Sequence, residues 1–370
     1  MKKVVSIALA LLMVAVMLPV MAMADEATTL QSKIGSANPG DTITLDKDYI
    51  EDITIDKELT IDLNNHNLTN KVGDTITVNV NGNLTITGNG TVDNVTHGRA
   101  AIFNNGTVTL NGGTYTRSAE AGTGKDPDSD KGNSWYTICN HGIMTVNPGV
   151  TVTNTGTYSS AFENGYQSYK GNNERSNYVA GTNNAAPALT INGGTFEGGK
   201  ITIKNDDGGI LKIGGGRFTN NGNRVVFNAN KAEINGGEFY CPATYFGNEI
   251  AVDTLYADGG QNAGQLTITG GTFDGKVTQS NGAVTTVSGG TFKKGVDKSY
   301  IVDGKKLDAN GNVVPESITI IVPSDGGNTT TTPSTDNTKN PGTGANDFVG
   351  VAAAMAVVSL LGAAAVIRKK

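Results

Sequence analysis

Apolar and polar residues alternate over short stretches through most of the chain. Val108-Thr109-Leu110, Leu189-Thr190-Ile191, Leu211-Lys212-Ile213, Ala232-Glu233-Ile234 and Leu266-Thr267-Ile268 each place two apolar side chains on one face of an extended strand. A glycine pair follows each time, then a short unit with an aromatic at its second position: Thr114-Tyr115, Thr195-Phe196, Arg217-Phe218, Glu238-Phe239, Thr272-Phe273. The glycines break the strand and turn the chain. The phrase returns once more from Thr285 to Phe292, and where nothing is inserted its period is about 19 to 24 residues, which predicts a repeat architecture.

A second phrase precedes the first: Ile102-Phe103-Asn104, Ile138-Cys139-Asn140, Phe162-Glu163-Asn164, Ile203-Lys204-Asn205, Val226-Phe227-Asn228 and, more loosely, Gln279-Ser280-Asn281. One residue points in, the next points out, and asparagine stands at the corner, where it tolerates a left-handed backbone. One repeat is then three short strands, and stacking repeats pairs each strand with its copy about 4.8 Å away. The expected fold is all-β, a parallel β-helix, and chirality rules favour a right-handed coil. In architecture and repeat style, over about residues 27–300, it resembles the pectin-lyase-like superfamily, without a catalytic motif of that group. Leu30 to Ile34 reads as a short capping helix within the unit 25–300. Residues 301–322 read as a closing cap, with a hairpin-like pattern at Tyr300 to Val314.

The two ends predict export and anchoring. Met1-Lys2-Lys3, the apolar run Val4 to Val20, and Ala22-Met23-Ala24 have the layout of a signal peptide (1–24), with cleavage after Ala24. Residues 323–346 are rich in Thr, Ser, Asn and Gly, too polar to bury a core, and read as a disordered stalk. The stalk carries Asn340-Pro341-Gly342-Thr343-Gly344. An apolar segment, 348–367, long enough for a transmembrane helix, and the basic tail 368–370 follow. This order resembles a sortase sorting signal of the NPxTG type. Asn340 stands where LPxTG has leucine, which leaves the sortase class open. The resemblance implies that a sortase cleaves after Thr343 and joins its carbonyl to peptidoglycan, placing the protein on a Gram-positive cell wall surface.

Charge narrows the partners. The chain carries a net −6, and the two predicted end segments hold more basic than acidic residues. Such a surface argues against nucleic acid. Three histidines and two cysteines make a disulfide scaffold or a Cys/His metal site unexpected, and no cofactor is implied. Cys139 and Cys241 are expected to stay unpaired. The glycine phrases are turns and not phosphate loops, because no helix follows them.

Insertions at 117–135, 166–186 and 241–264 flank the sheet of asparagine-ending strands. They hold Trp135, Tyr166, Tyr169, Tyr178, Tyr245 and Phe246, rings able to stack on sugars. With Glu163 and Lys204 they form the candidate ligand face, whose floor would be Phe103, Cys139, Glu163, Lys204 and Phe227. Asp206, Asp207, Asp258, Arg217 and Arg224 lie nearby, yet no carboxylate recurs in register. Asp206-Asp207 reads as a solvated corner, and His97 and His141 as surface or corner residues. The expected function is a non-enzymatic adhesin binding glycan or a host ligand. The alternative is a wall-displayed polysaccharide lyase or glycoside hydrolase.

Overall fold

The structure is a computed structural model. It describes residues 28–119, 135–156, 160–165, 186–206, 208–220, 223–242, 247–255, 264–280 and 282–316. The chain divides into Met1–Ser317 and Ile318–Lys370, and every described residue lies in the first unit. The predicted signal peptide, stalk, sorting pentapeptide and membrane segment lie outside the described residues. Among the described residues no helix is long and apolar enough to cross a membrane.

The chain winds through three parallel sheets in turn, two of ten strands and one of nine, each strand pairing with its counterpart on the coils before and after. This is a parallel β-helix. The first sheet is built from the Leu-Thr-Ile phrases. Leu189 and Ile191 stand in register with Met144 and Val146 below and with Leu211 and Ile213 above, all buried. The second sheet carries the aromatic positions. Phe196, Phe218, Phe239, Phe273 and Phe292 stack with ring centroids 4.8 Å apart and planes within 9° of parallel. The ring spacing equals the strand spacing, so the stack follows from register alone.

Glycine at the corner between these sheets is required by space and by backbone. Gly237 has φ +102, and a Cβ there would lie 3.2 Å from both Gly216 O and Phe218 Cε2.

The third sheet ends in the asparagine column. Asn104 Nδ2 donates to Asn140 Oδ1 at 2.6 Å, Asn140 to Asn164 at 2.7 Å, Asn164 to Asn205 at 2.7 Å and Asn205 to Asn228 at 2.8 Å. All five are fully buried, and their remaining donors reach backbone carbonyls such as Ile210 O and Lys231 O. The column ends differently from the expectation. Thr254 stands opposite Asn228 and Gln279 opposite Thr254, while Asn281 lies outside the described residues. The pairing of these last two strands carries a register irregularity between Ile250 and Val252.

Both ends of the core are closed. The helix Leu30–Ser36 is N-capped by Thr29 and buries Leu30 and Ile34, one turn apart. The Glu51 carboxylate accepts from the backbone N–H of Leu30 and Gln31 at 2.8 and 3.1 Å. At the other end the antiparallel pair Lys305–Leu307 and Val313–Pro315 packs Leu307 and Val313 on the core.

Candidate functional site

The outward positions of the third sheet run Phe103, Cys139, Glu163, Lys204, Phe227, Asp253 on successive coils. Strand alternation puts them on the side away from the core. They do not form the open floor expected of them. Cys139 is 2% exposed and Glu163 1%. Tyr136 packs on Cys139 and Ala100, with Phe103 and Trp135 against the same cluster. Trp135 and Tyr136, where the chain returns from the 117–135 insertion, thus pack over the Cys139 part of the sheet.

Under this cover three side chains converge. Cys139 Sγ donates to Glu163 Oε2 at 2.8 Å. His141 Nε2 lies 3.4 Å from that sulfur and 3.6 Å from the same carboxylate oxygen. Cys139 and His141 are two residues apart on one coil, and Glu163 stands opposite Cys139 on the next. The backbone N–H of His141 donates to Asn104 O at 2.8 Å, and Phe103 meets its ring edge-on at 5.1 Å. Burial first, and the Glu163 carboxylate second, push the Cys139 thiol well above its ordinary pKa. The group is therefore a protonated thiol here and not a ready nucleophile.

Lys204 sits one coil further. Its Nζ pairs with Asp206 at 2.5 Å and approaches the Tyr136 hydroxyl at 3.4 Å. Burial opposes its charge, but Tyr136 and Asp206 outweigh burial and hold the ammonium above its usual pKa. Asp206 is buried, so the reading of a solvated corner is corrected: its backbone N–H is tied to Asn164 O at 2.8 Å, which keeps it on the stack. Asp207 lies outside the described residues, as do Tyr166, Tyr169, Tyr178, Tyr245, Phe246 and Asp258. Arg224 Nε donates to Asp253 Oδ2 at 2.5 Å. His97 is exposed, whereas His141 is half-buried in the cluster just described.

The open surface lies elsewhere. On the outer face of the second sheet a depression of 360 Å³ is lined by Arg217, Glu238, Phe239, Tyr240, Thr272, Asp274 and Lys293. It adjoins a larger trough of 860 Å³ along the glycine corner, which shares Arg217, Glu238 and Thr272 and reaches Asn312 and Val313. Tyr240 is 44% exposed, and Lys293 donates to Asp274 Oδ2 at 3.1 Å beside it.

Sequence reasoning also missed a second buried polar column. Register places Asn70, Asn94, Arg117, Asn154 and Asn220 at the corner after the second sheet. All five are buried. Arg117 Nη1 donates to Trp135 O at 2.6 Å, pinning the start of the covering segment. The signal was present, since each follows the Gly-Thr-aromatic unit or its aliphatic equivalent. Among the described strand residues of all three sheets, no carboxylate stands in register with another carboxylate on the adjacent coil. Comparison with protein-family models, curated proteins and solved structures found no match to this chain.

Proposed function

We propose that this chain is a non-enzymatic surface protein, exported and then fixed to the cell wall through Thr343, that uses the β-helix as a rigid scaffold for weak glycan binding. The observation that carries the binding reading is the open row on the second sheet. Tyr240 offers an exposed aromatic side chain, and Arg217, Glu238, Asp274 and Lys293 line the same depression with groups able to bond sugar hydroxyls. The row continues along the stack, as a polysaccharide would. Hydrolysis is disfavoured because facing carboxylates are what a glycosidase needs, and the described sheets do not align any. Affinity per copy is weak and is raised by many copies on one wall.

The sorting-signal resemblance of residues 340–370 supports the anchoring, and the layout of residues 1–24 supports export. One experiment with two arms tests the whole. A glycan array is probed with the full chain and with Tyr240→Ala, alongside reducing-sugar and unsaturated-product assays. Binding lost at Tyr240→Ala with no product formed supports the reading; product formation overturns it. In the second arm, Thr343→Ala should move the protein from the wall fraction to the membrane fraction. A variant that stays covalently on the wall sinks the anchoring proposal.

A further inference from the structure

Cys139, His141 and Glu163 are not used by a glycan-binding surface, and their geometry asks for another explanation. We propose that they form a zinc site joining two adjacent coils of the β-helix.

The argument begins with distances. Zinc binds Cys, His and carboxylate ligands at about 2.0–2.3 Å, so donors at the corners of a tetrahedron lie about 3.3–3.7 Å apart. His141 Nε2 is 3.4 Å from Cys139 Sγ and 3.6 Å from Glu163 Oε2, which already fits. The third edge, Cys139 Sγ to Glu163 Oε2, is 2.8 Å because a thiol hydrogen bond occupies it. Zinc would take the place of that hydrogen. The proton leaves to solvent, the sulfur becomes a thiolate ligand, and this edge opens to about 3.6 Å.

Burial supplies a second, independent observation. Glu163 is 1% exposed, and its Oε1 is buried and accepts no hydrogen bond from any described residue. Among the described residues this buried carboxylate accepts a hydrogen bond from the thiol alone, with His141 near the same oxygen, and leaving Oε1 unsatisfied is costly. A cation at this point repays that cost. The half-buried Lys204, opposite Glu163 on the next coil, feels its charge at longer range, but the close partners of Lys204 are Asp206 at 2.5 Å and the Tyr136 hydroxyl at 3.4 Å.

The ligand set selects the metal. One sulfur, one nitrogen and one oxygen suit a borderline ion such as zinc, whereas calcium and magnesium require oxygen ligands alone. Three protein ligands leave a fourth position, reached from the side on which His141 is partly exposed (20%). Water would fill it. The ring of His141 is held for this task by Phe103 and by its own backbone bond to Asn104. The role that follows is a clamp between the Cys139 coil and the Glu163 coil.

The test uses the full chain, stripped of metal, with zinc and cobalt as probes. Equilibrium dialysis should find one zinc per chain. Cobalt should give a thiolate charge-transfer band together with the visible bands of a tetrahedral ion. Cys241→Ala should keep that band. Cys139→Ser, His141→Asn and Glu163→Gln should each weaken zinc binding at least tenfold. Zinc should raise the melting temperature of the parent and leave that of Glu163→Gln unchanged. Circular dichroism checks that each variant keeps its β-sheet signal, and the cobalt spectrum of the parent needs no variant at all. A parent chain that takes up no stoichiometric zinc, or whose cobalt complex lacks the thiolate band, overturns the proposal.

Discussion

Asn104, Asn140, Asn164, Asn205 and Asn228 pass a hydrogen bond from coil to coil inside the stack, and Asn111, Asn147 and Asn192 do the same on its outside. The bond lengths are alike, 2.6–2.8 Å in the first column and 2.7 and 2.8 Å in the second. The surroundings are not. The inner amides are fully buried and spend their spare donors on carbonyls such as Ile210 O and Lys231 O. Outside, Asn111 and Asn192 are exposed and water can satisfy whatever the neighbour does not. A hydrogen bond is worth little where water competes for it, and breaking one is expensive where water cannot reach. The inner column therefore fixes register, and the outer column only decorates it.

The sharpest way to break this comparison is Asn205→Asp. Asn205 Nδ2 donates to Asn228 Oδ1, Gly209 O and Lys231 O. A carboxylate would aim an acceptor at acceptors in a dry site, and the expected loss is about 3–5 kcal/mol at neutral pH. Burial raises the pKa of such a carboxyl above its unfolded value. Below the unfolded pKa it is protonated and can donate, so the deficit should be smallest in acid and widen as pH rises through the folded pKa. Denaturant melts across pH would measure it, and a pH-independent deficit would mean the corner is solvated. Asn205→Ala removes the donors without adding charge, and should cost about 1–3 kcal/mol. The smallest effect belongs outside: Asn147→Ala should stay within about 0.5 kcal/mol in the same melts. Equal losses at Asn205 and Asn147 would erase the distinction between the columns.

The coil was legible because its repeat is short and each strand shows its burial by alternation. Asn104 through Asn228 could be aligned from sequence, and the alignment gave the third sheet its register. It failed on the last coil, where Gln279 takes the position opposite Thr254. The site was less legible for a different reason. A count of histidines and cysteines is blind to position, and a spacing of two residues puts Cys139 and His141 on one side of an extended chain. The same alignment that paired Asn140 with Asn164 also set Cys139 opposite Glu163. What no pattern announced was the cover: nothing local to Trp135 and Tyr136 says that they fold back over the third sheet. That contact depends on a buried Arg117 that holds Trp135 O from 18 positions away. Outward alternation was therefore mistaken for exposure at Cys139 and Glu163.

The asparagine columns also govern how the molecule ages. An asparagine followed by glycine is prone to lose ammonia when the next backbone nitrogen attacks its side-chain carbonyl, leaving an acid in place of an amide. Asn111, Asn164 and Asn192 all precede glycine. At Asn164 both reactants are held: the Gly165 N–H donates to Asn140 O at 3.1 Å, and the Asn164 amide is bonded to Asn205 and to Ile210 O. Asn111 and Asn192 are exposed to the water that completes the reaction. An old copy of this chain should therefore gather new negative charge along its outer corner while its inner corner keeps every amide it was made with.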